Sequence, residues 1–512
     1  MRRWLVLALV LVAVPASAKD LYVNNSGTPA CSDATTYANN DAASPWCTIN
    51  RAAWGSTNRA APNADEAAQA GDTVYITAGT YANVKPESAH WAYVAYNPIN
   101  SGTSGNPIVF EAVGEVILTQ NGSPGLDGTA TGRAVIGASD QGPGTGHRSY
   151  ITWRGFTINE VDVNSANGVA LIAGGTGIVL EGLTLNGGGD AVASSNNHPG
   201  IYLDGVTIQN AVIRNNRVFN WKNNGSYHRN GAGIMIYRAQ GTLIEHNEFT
   251  DNGSGVFVKG YEHKSTTVRY NLLVGNRYQI SGMYHDTDSE FVDNYYQNIV
   301  RCTAGRDERY GIWITEYAGN IRVVNNTIVD CHELAVGAFS DPYPTSLLIQ
   351  NNLVYQSQGY SLGFNNNPMS AVLLDRNNYY SIANFTGATS SANTLAGWRT
   401  LLGGCPNTGN ECASTTEDPL FVDASEHDYR LQDESPVRTL GRTITAIHGS
   451  DGETIPAGAY ITGEEIIGPT EGETPTPTDP VRWRVRFRAG SLELGSLAVA
   501  LVWWLRRRRA QA

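Results

Sequence analysis

The chain has 512 residues, 55 of them Gly, with only 16% charged residues and a formal net charge of −12. So much Gly and so little charge suits turns and strands and excludes an all-helical or coiled-coil protein. The acidic balance supplies no basic field for phosphates, so nucleic acid is not an expected partner, and an anionic polymer would need a local basic patch or a metal. Lysine occurs only at Lys19, Lys85, Lys222, Lys259 and Lys264, which singles out the central ones.

At the N-terminus, Arg2 and Arg3 precede an apolar run over 4–14 and the small-residue end Ala16-Ser17-Ala18. That order is a signal peptide, 1–18, so the mature chain is expected to start at Lys19 after general secretion. The six cysteines suit export. Cys31 with Cys47, and Cys405 with Cys412, are close in sequence and would staple loops near the two ends of the folded region. Cys302 and Cys331 end NIVRC and NNTIVDC, equivalent places in successive repeats, where strands stacked about 4.8 Å apart bring cysteines within disulfide reach. No C-x-x-C occurs, which leaves a zinc site without support.

The segments AGDTVYITAGTY, SGTSGNPIVFEAVGEVILT and YITWRGFTIN read as first strands. From about 150 to 380 a unit of short strand, Asn, short strand and turn recurs: VIRNNRVFN, IEHNEFTDN, VRYNLLVGN, FVDNYYQN, VVNNTIVDC, IQNNLVYQS, LLDRNNYYS. Taking the corner as Asn216, Asn247, Asn271, Asn294, Asn326, Asn352 and Asn378 gives spacings of 31, 24, 23, 32, 26 and 26. A period in the twenties with variable insertions predicts a solenoid of β coils, in which each coil buries its face only against the next. Asn suits such a corner because it tolerates a left-handed backbone and its amide can bond to the Asn above and below. The β domain is thus expected over 19–467, followed by a Pro/Thr-rich linker over 468–490. In the tail, 491–512, SLELGSLAVALVWWL is apolar apart from one Glu and is stopped by Arg506 to Arg509.

With their Asn corners, these strands resemble the secreted right-handed parallel β-helix proteins of the pectin-lyase-like superfamily, and EDPLFVDASEHDYRLQDESPVRTLG resembles the closing segment common to many of them. The N-terminal phrasing is most similar to polysaccharide lyase family 6. The resemblance implies an all-β fold, a single right-handed parallel β-helix, acting on an acidic polysaccharide. In that alignment the family's Lys-Ser step matches Lys264-Ser265, ahead of Arg269 and Asn271. His285 matches its Arg-His-Gly motif with Tyr284 at the arginine, and its calcium glutamates fall at Val256 and Val258. The tail resembles the C-terminal GlyGly sorting signal of Gram-negative bacteria, with Ala489-Gly490 at the motif. This implies passage through the inner membrane, processing by export machinery and cell-surface or extracellular display; the plainer alternative is a single-span transmembrane anchor. A monomer is expected.

Aligning GIMIYR, GVFVKGYEH, QISGMYHD and GIWITEY on their inward Ile and Val puts Met235, Phe257, Ser281 and Trp313 in one outward row, and Tyr237, Lys259, Met283 and Thr315 in the next. Arg238, Tyr261, His263, Tyr284, His285, Glu316 and Tyr317 lie just beyond. Aromatic faces stack on sugars and cations bind uronate carboxylates, so the strip suits a polysaccharide. Elimination at a uronate needs a group to neutralise the carboxylate, a base and a proton donor. Lys259 or Lys264 could be the base, and Tyr284 or His285 the donor. Arg238, Tyr237, Tyr261, His263, Arg269, Trp313 and Glu316 would bind substrate. Asp286, Asp288 and Glu290 are spaced to offer calcium ligands. Read more plainly, Lys259 is a solvated lysine, Trp313 and Tyr284 pack under loops, and the acidic residues form a metal-free turn.

Lyase-like elimination therefore stands beside a non-catalytic glycan-binding or adhesive surface protein. If the tail is the attachment device, deleting 489–512 releases the protein to the medium, as blotting cells against supernatant would detect; a truncated form still held on cells would refute that role.

Overall fold

Between 200 and 336 each coil opens on a residue that faces inward, followed at once by an inward aliphatic one. At Gly233 there is no room for more than hydrogen, since a Cβ would stand 2.7 Å from the Phe249 ring. The computed structural model describes residues 18–470 apart from 59–60, 83–93, 120–132, 139–146, 160–165, 171–173, 190–196, 223–227, 261–262, 284–289, 304–309, 316–318, 333, 340–345, 366–371, 387–389 and 406–410. The expected leader through 17, the expected linker beyond Thr470 and the tail lie outside these residues. Among the described residues no helix is long and apolar enough to cross a membrane.

Five strands carry the part of the fold that matters most below: β1 (Ile201–Gln209), β2 (Ala232–Gln240), β3 (Ser254–Lys259), β4 (Tyr278–Met283) and β5 (Tyr310–Thr315). They pair in parallel, one coil on the next, with Ile201, Ile234, Val256, Ile280 and Ile312 in register and all fully buried. They belong to a 12-stranded sheet, while two further short strands per coil build a 20-stranded sheet. After β2, for instance, come Leu243–Glu245 and Glu248–Thr250, which pair with the matching strands of the coils on either side. Parallel neighbours linked by crossovers of this kind wind right-handed. The fold is the expected right-handed parallel β-helix. The buried helix Ile49–Trp54 covers its first coils, and Trp398 closes the other end against Phe364 and Phe385. A second apolar cluster seats the closing segment on the outside of the long sheet, where Phe421, Tyr429, Val437 and Leu440 meet Ile299, Val329 and Leu353.

One asparagine per coil forms a continuous buried ladder: Asn216, Asn247, Asn271, Asn298, Asn326, Asn352, Asn377. In each link the side-chain amide and the backbone N–H both donate to the next Oδ1; from Asn271 to Asn298 the distances are 3.0 and 3.1 Å. Two of the sequence assignments are corrected. Asn294 lies within Val292–Tyr296 and faces outward, accepting from Arg322 at 3.2 Å, so Asn298 is the rung. Asn378 opens the following strand, and Asn377 is the rung. The left-handed residue is the one before the rung, with φ of 57° at Asn215, 55° at His246, 55° at Tyr270 and 52° at Gln297. The rung itself is selected for its amide. All three expected disulfides form, and Cys302 and Cys331 sit with Cα atoms 4.9 Å apart.

The ladder ends on a carboxyl. Asn377 donates its backbone N–H to Ser414 Oγ at 2.9 Å and its amide to Glu411 at 3.3 Å, and Tyr379 donates its hydroxyl to Glu411 at 2.6 Å. Burial raises the Glu411 carboxyl from 4.5 to about 7. Because the folded state then holds this proton more tightly than the unfolded chain, stability is full below pH 4.5 and declines as pH rises to about 7. The loss is on the order of 3 kcal/mol. Glu411→Gln keeps the shape without the ionisation. Denaturation at a series of pH values is expected to show the variant gaining on the parent across that interval, and a constant difference would contradict an ionising Glu411.

Candidate functional site

The outer face of the second sheet carries the first row read from sequence, Met235, Phe257, Ser281 and Trp313, in register, and Lys259, Met283 and Thr315 of the next; the pairing of β2 with β3 ends at Ile236 and Val258, one residue short of Tyr237. Register alone did not reveal the cover. Met235, Phe257 and Ser281 are at most 1% exposed. The 3-10 turn His228–Asn230, which precedes β2, folds over the sheet and lays the Arg229 guanidinium 5.5 Å from the Phe257 ring centre and 4.3 Å from that of Trp313. Tyr278 and Tyr310, on adjacent coils, stack at 4.7 Å, and Trp313 lies nearly parallel at 4.9 and 5.2 Å from them. Arg229 also donates to the Thr315 hydroxyl at 3.3 Å. The packing expected of Trp313 on the plainer reading is therefore partly realised, for it is half-buried.

Lys259 ends β3 in the middle of this strip, half-buried. Its Nζ donates to Asn197 Oδ1 at 3.2 Å and to Asn230 Oδ1 at 2.9 Å, and stands 5.3 Å from the ring centres of both Tyr237 and Phe257. Asn197 in turn donates its Nδ2 to the Tyr237 hydroxyl at 3.2 Å. One coil earlier, Tyr202 packs edge-on against Tyr237 and donates to Asp204 at 3.1 Å, and Arg238 pairs with the same carboxylate at 2.6 Å. Burial, with the Asp204 charge beside it, pushes the Tyr202 hydroxyl far above its ordinary range. The face thus combines cations, ring faces and amides in one patch, the make-up that holds a carboxylated sugar.

Other expected site residues lie elsewhere. His263 is fully buried, donating its Nδ1–H to Gly260 O at 2.8 Å and bonding Asp293 through Nε2 at 2.9 Å, so it fastens the bend between the sheets and is out of a polymer's reach. Arg269 is on the long sheet, in a ladder of alternating charge with Glu111, Arg154, Glu181, Arg214 and Glu245 in register. It pairs with Glu245 at 2.7 Å and donates to the Tyr296 hydroxyl at 2.9 Å, which accounts for its charge without substrate. Lys264 leaves the strip at the same bend and places its ammonium 4.1 Å from the Phe291 ring centre. Glu290 is exposed in a turn. Tyr261, Tyr284, His285, Asp286, Asp288 and Glu316 lie outside the described residues, and among the described residues no three His, Cys, Asp or Glu side chains gather as a metal site would require. Sequence reasoning missed Asn197, Asp204, Arg229, Asn230, Tyr278 and Tyr310. The two tyrosines share one offset, two residues ahead of Ile280 and Ile312, and that alignment could have found them. The loop residues had no such signal.

The family model for the right handed beta helix region matches residues 147–328. No curated protein matches the chain. Among solved structures it is similar to pectate lyase Pel9A, at 13% identity over 87% of this chain and 97% of that one, with a TM-score of 0.49. It is also similar to a PL6 family polysaccharide lyase from Pseudopedobacter saltans, at 13% identity over 73% and 96% of the two chains and a TM-score of 0.40, and to XylC in complex with xylose, at 12% over 73% and 86% and a TM-score of 0.42.

A structural role for His263 has a measurable consequence. His263→Ala leaves the buried Asp293 without its imidazole partner and is expected to cost about 3 kcal/mol of stability in urea titrations, while glycan binding by the folded fraction is unchanged. Lost binding at full stability would return His263 to the site.

Proposed function

We propose that the protein is exported and engages an acidic polysaccharide along the outer face of the second sheet, in a lyase-like β-elimination at a uronate. The observation that carries this reading is the placement of Lys259 and Arg229 over the Tyr237, Phe257 and Trp313 rings on one solenoid face. Three disulfides agree with an oxidising compartment. In such an elimination Lys259 would take the proton beside the carboxylate and Tyr284 or His285 would protonate the departing oxygen, whereas Lys264, turned to Phe291, is off this face. Calcium held by Asp286, Asp288 and Glu290 would neutralise the carboxylate.

One feature favours the second reading, a glycan-binding or adhesive surface protein. Arg238 and His263, the two other cationic residues expected beside the row of Lys259, are turned to Asp204 and Asp293, while Lys259 itself is tied to two amide oxygens. Those surroundings hold a cation in place, as binding requires. The readings part in an assay of the purified protein on alginate, pectate and glycosaminoglycans, followed by unsaturated-uronate absorbance with and without calcium. A lyase generates the chromophore, and Lys259→Ala lowers kcat by more than it weakens binding, while Lys264→Ala leaves both as in the parent. A binding module generates none, yet Lys259→Ala and Trp313→Ala each weaken retention by about 1–2 kcal/mol. If both variants retain every glycan as the parent does, the strip is the wrong face.

A further inference from the structure

The Asn197 amide makes two hydrogen bonds at once, one at each end: its oxygen accepts from Lys259 Nζ and its nitrogen donates to the Tyr237 hydroxyl, both at 3.2 Å. The orientation of that amide is set by charge, because flipping it would aim N–H groups at an ammonium. A single planar amide therefore holds Nζ and the phenolic oxygen side by side. Each of those atoms keeps a donor for another partner. Lys259 has three N–H groups, of which Asn197 and Asn230 take two. The Tyr237 oxygen accepts from Asn197, so its own proton must point away, and among the described residues nothing accepts it. Nor does any carboxylate among the described residues pair with Lys259.

A carboxylate has the planar, two-headed shape of an amide but accepts at both ends. Placed on the side of Nζ and the hydroxyl opposite Asn197, it would accept one N–H from Lys259 and the O–H from Tyr237. We infer that Tyr237 and Lys259, aligned by Asn197, form a two-point receptor for the carboxylate of a uronate sugar, with Asn197 as the positioning residue. The inference rests on the glycan reading of the strip and assigns the atoms that distinguish an acidic sugar from its neutral counterpart. It also gives Lys259 a role that needs no free amine.

The test compares retention of a polyuronate with retention of its methyl ester, the same backbone without the charge. Asn197→Asp is nearly isosteric and supplies an internal carboxylate that occupies the receptor, and Tyr237→Phe keeps the ring but removes the second donor. Each is expected to reduce the preference for the acid over the ester, read as the ratio of the two retentions in the same variant, by about tenfold or more. Thermal melts establish that each variant is folded, and Tyr237→Phe decides the matter should Asn197→Asp fail to fold. If the parent prefers the acid and both folded variants keep that preference, the receptor is refuted while the glycan reading stands. If the parent retains no polyuronate at all, both fall together.

Discussion

A parallel solenoid must bury the backbone of its corners, and the asparagine ladder is what makes this possible. Every corner exposes N–H and C=O groups to a dry interior, where an unpaired group costs about 1–3 kcal/mol. An amide side chain donates and accepts, so a single residue type repeated once per coil satisfies its neighbours along the whole stack. Asn271, with its donors on Asn298, Ile244 and Arg269, leaves no latitude for a coil to slip. Everything displayed outside inherits that register. The alternating charges from Glu111 to Arg269, the Cys302–Cys331 disulfide and the Tyr278–Tyr310 stack are each a consequence of coils that cannot shift by one residue.

The candidate site uses the same property differently. Stacked rows supply a rigid floor of Phe257, Tyr237 and Trp313, and the loops before β1 and β2 supply the polar groups that turn the floor into a site. Lys259 is where the two meet, since its ammonium binds one amide from each loop. A cation on a strand end held by loop amides is preorganised without a carboxylate partner among the described residues, and the ring faces offset part of its desolvation. The neighbouring Asp204 neutralises Arg238 and leaves the Lys259 charge unopposed by it.

The sequence made several of these features legible, because they repeat. Spacing of apolar residues and asparagines established the solenoid, the inward Ile and Val set the outward rows, and the equivalent cysteines followed. Legibility failed where repetition was ambiguous locally: FVDNYYQN holds two asparagines, and only the pairing of Val292–Tyr296 with its neighbours shows Asn294 facing out and Asn298 facing in. It failed also where a residue's type suited two environments. His263 and Arg269 have the chemistry of binding residues, but the folded chain spends one on Asp293 and the other on Glu245.

What the sequence by itself determined is the fold, the register and the floor of the strip, since these follow from periodic patterns in which each coil constrains the next. What only the tertiary structure decided is the roof and the polar shell: that Arg229 covers Phe257 and Trp313, and that Asn197 and Asn230 converge on Lys259 from loops 62 and 29 residues away. Loops that bulge from a solenoid share no period, so the partners of their side chains are set by where each loop folds back in space.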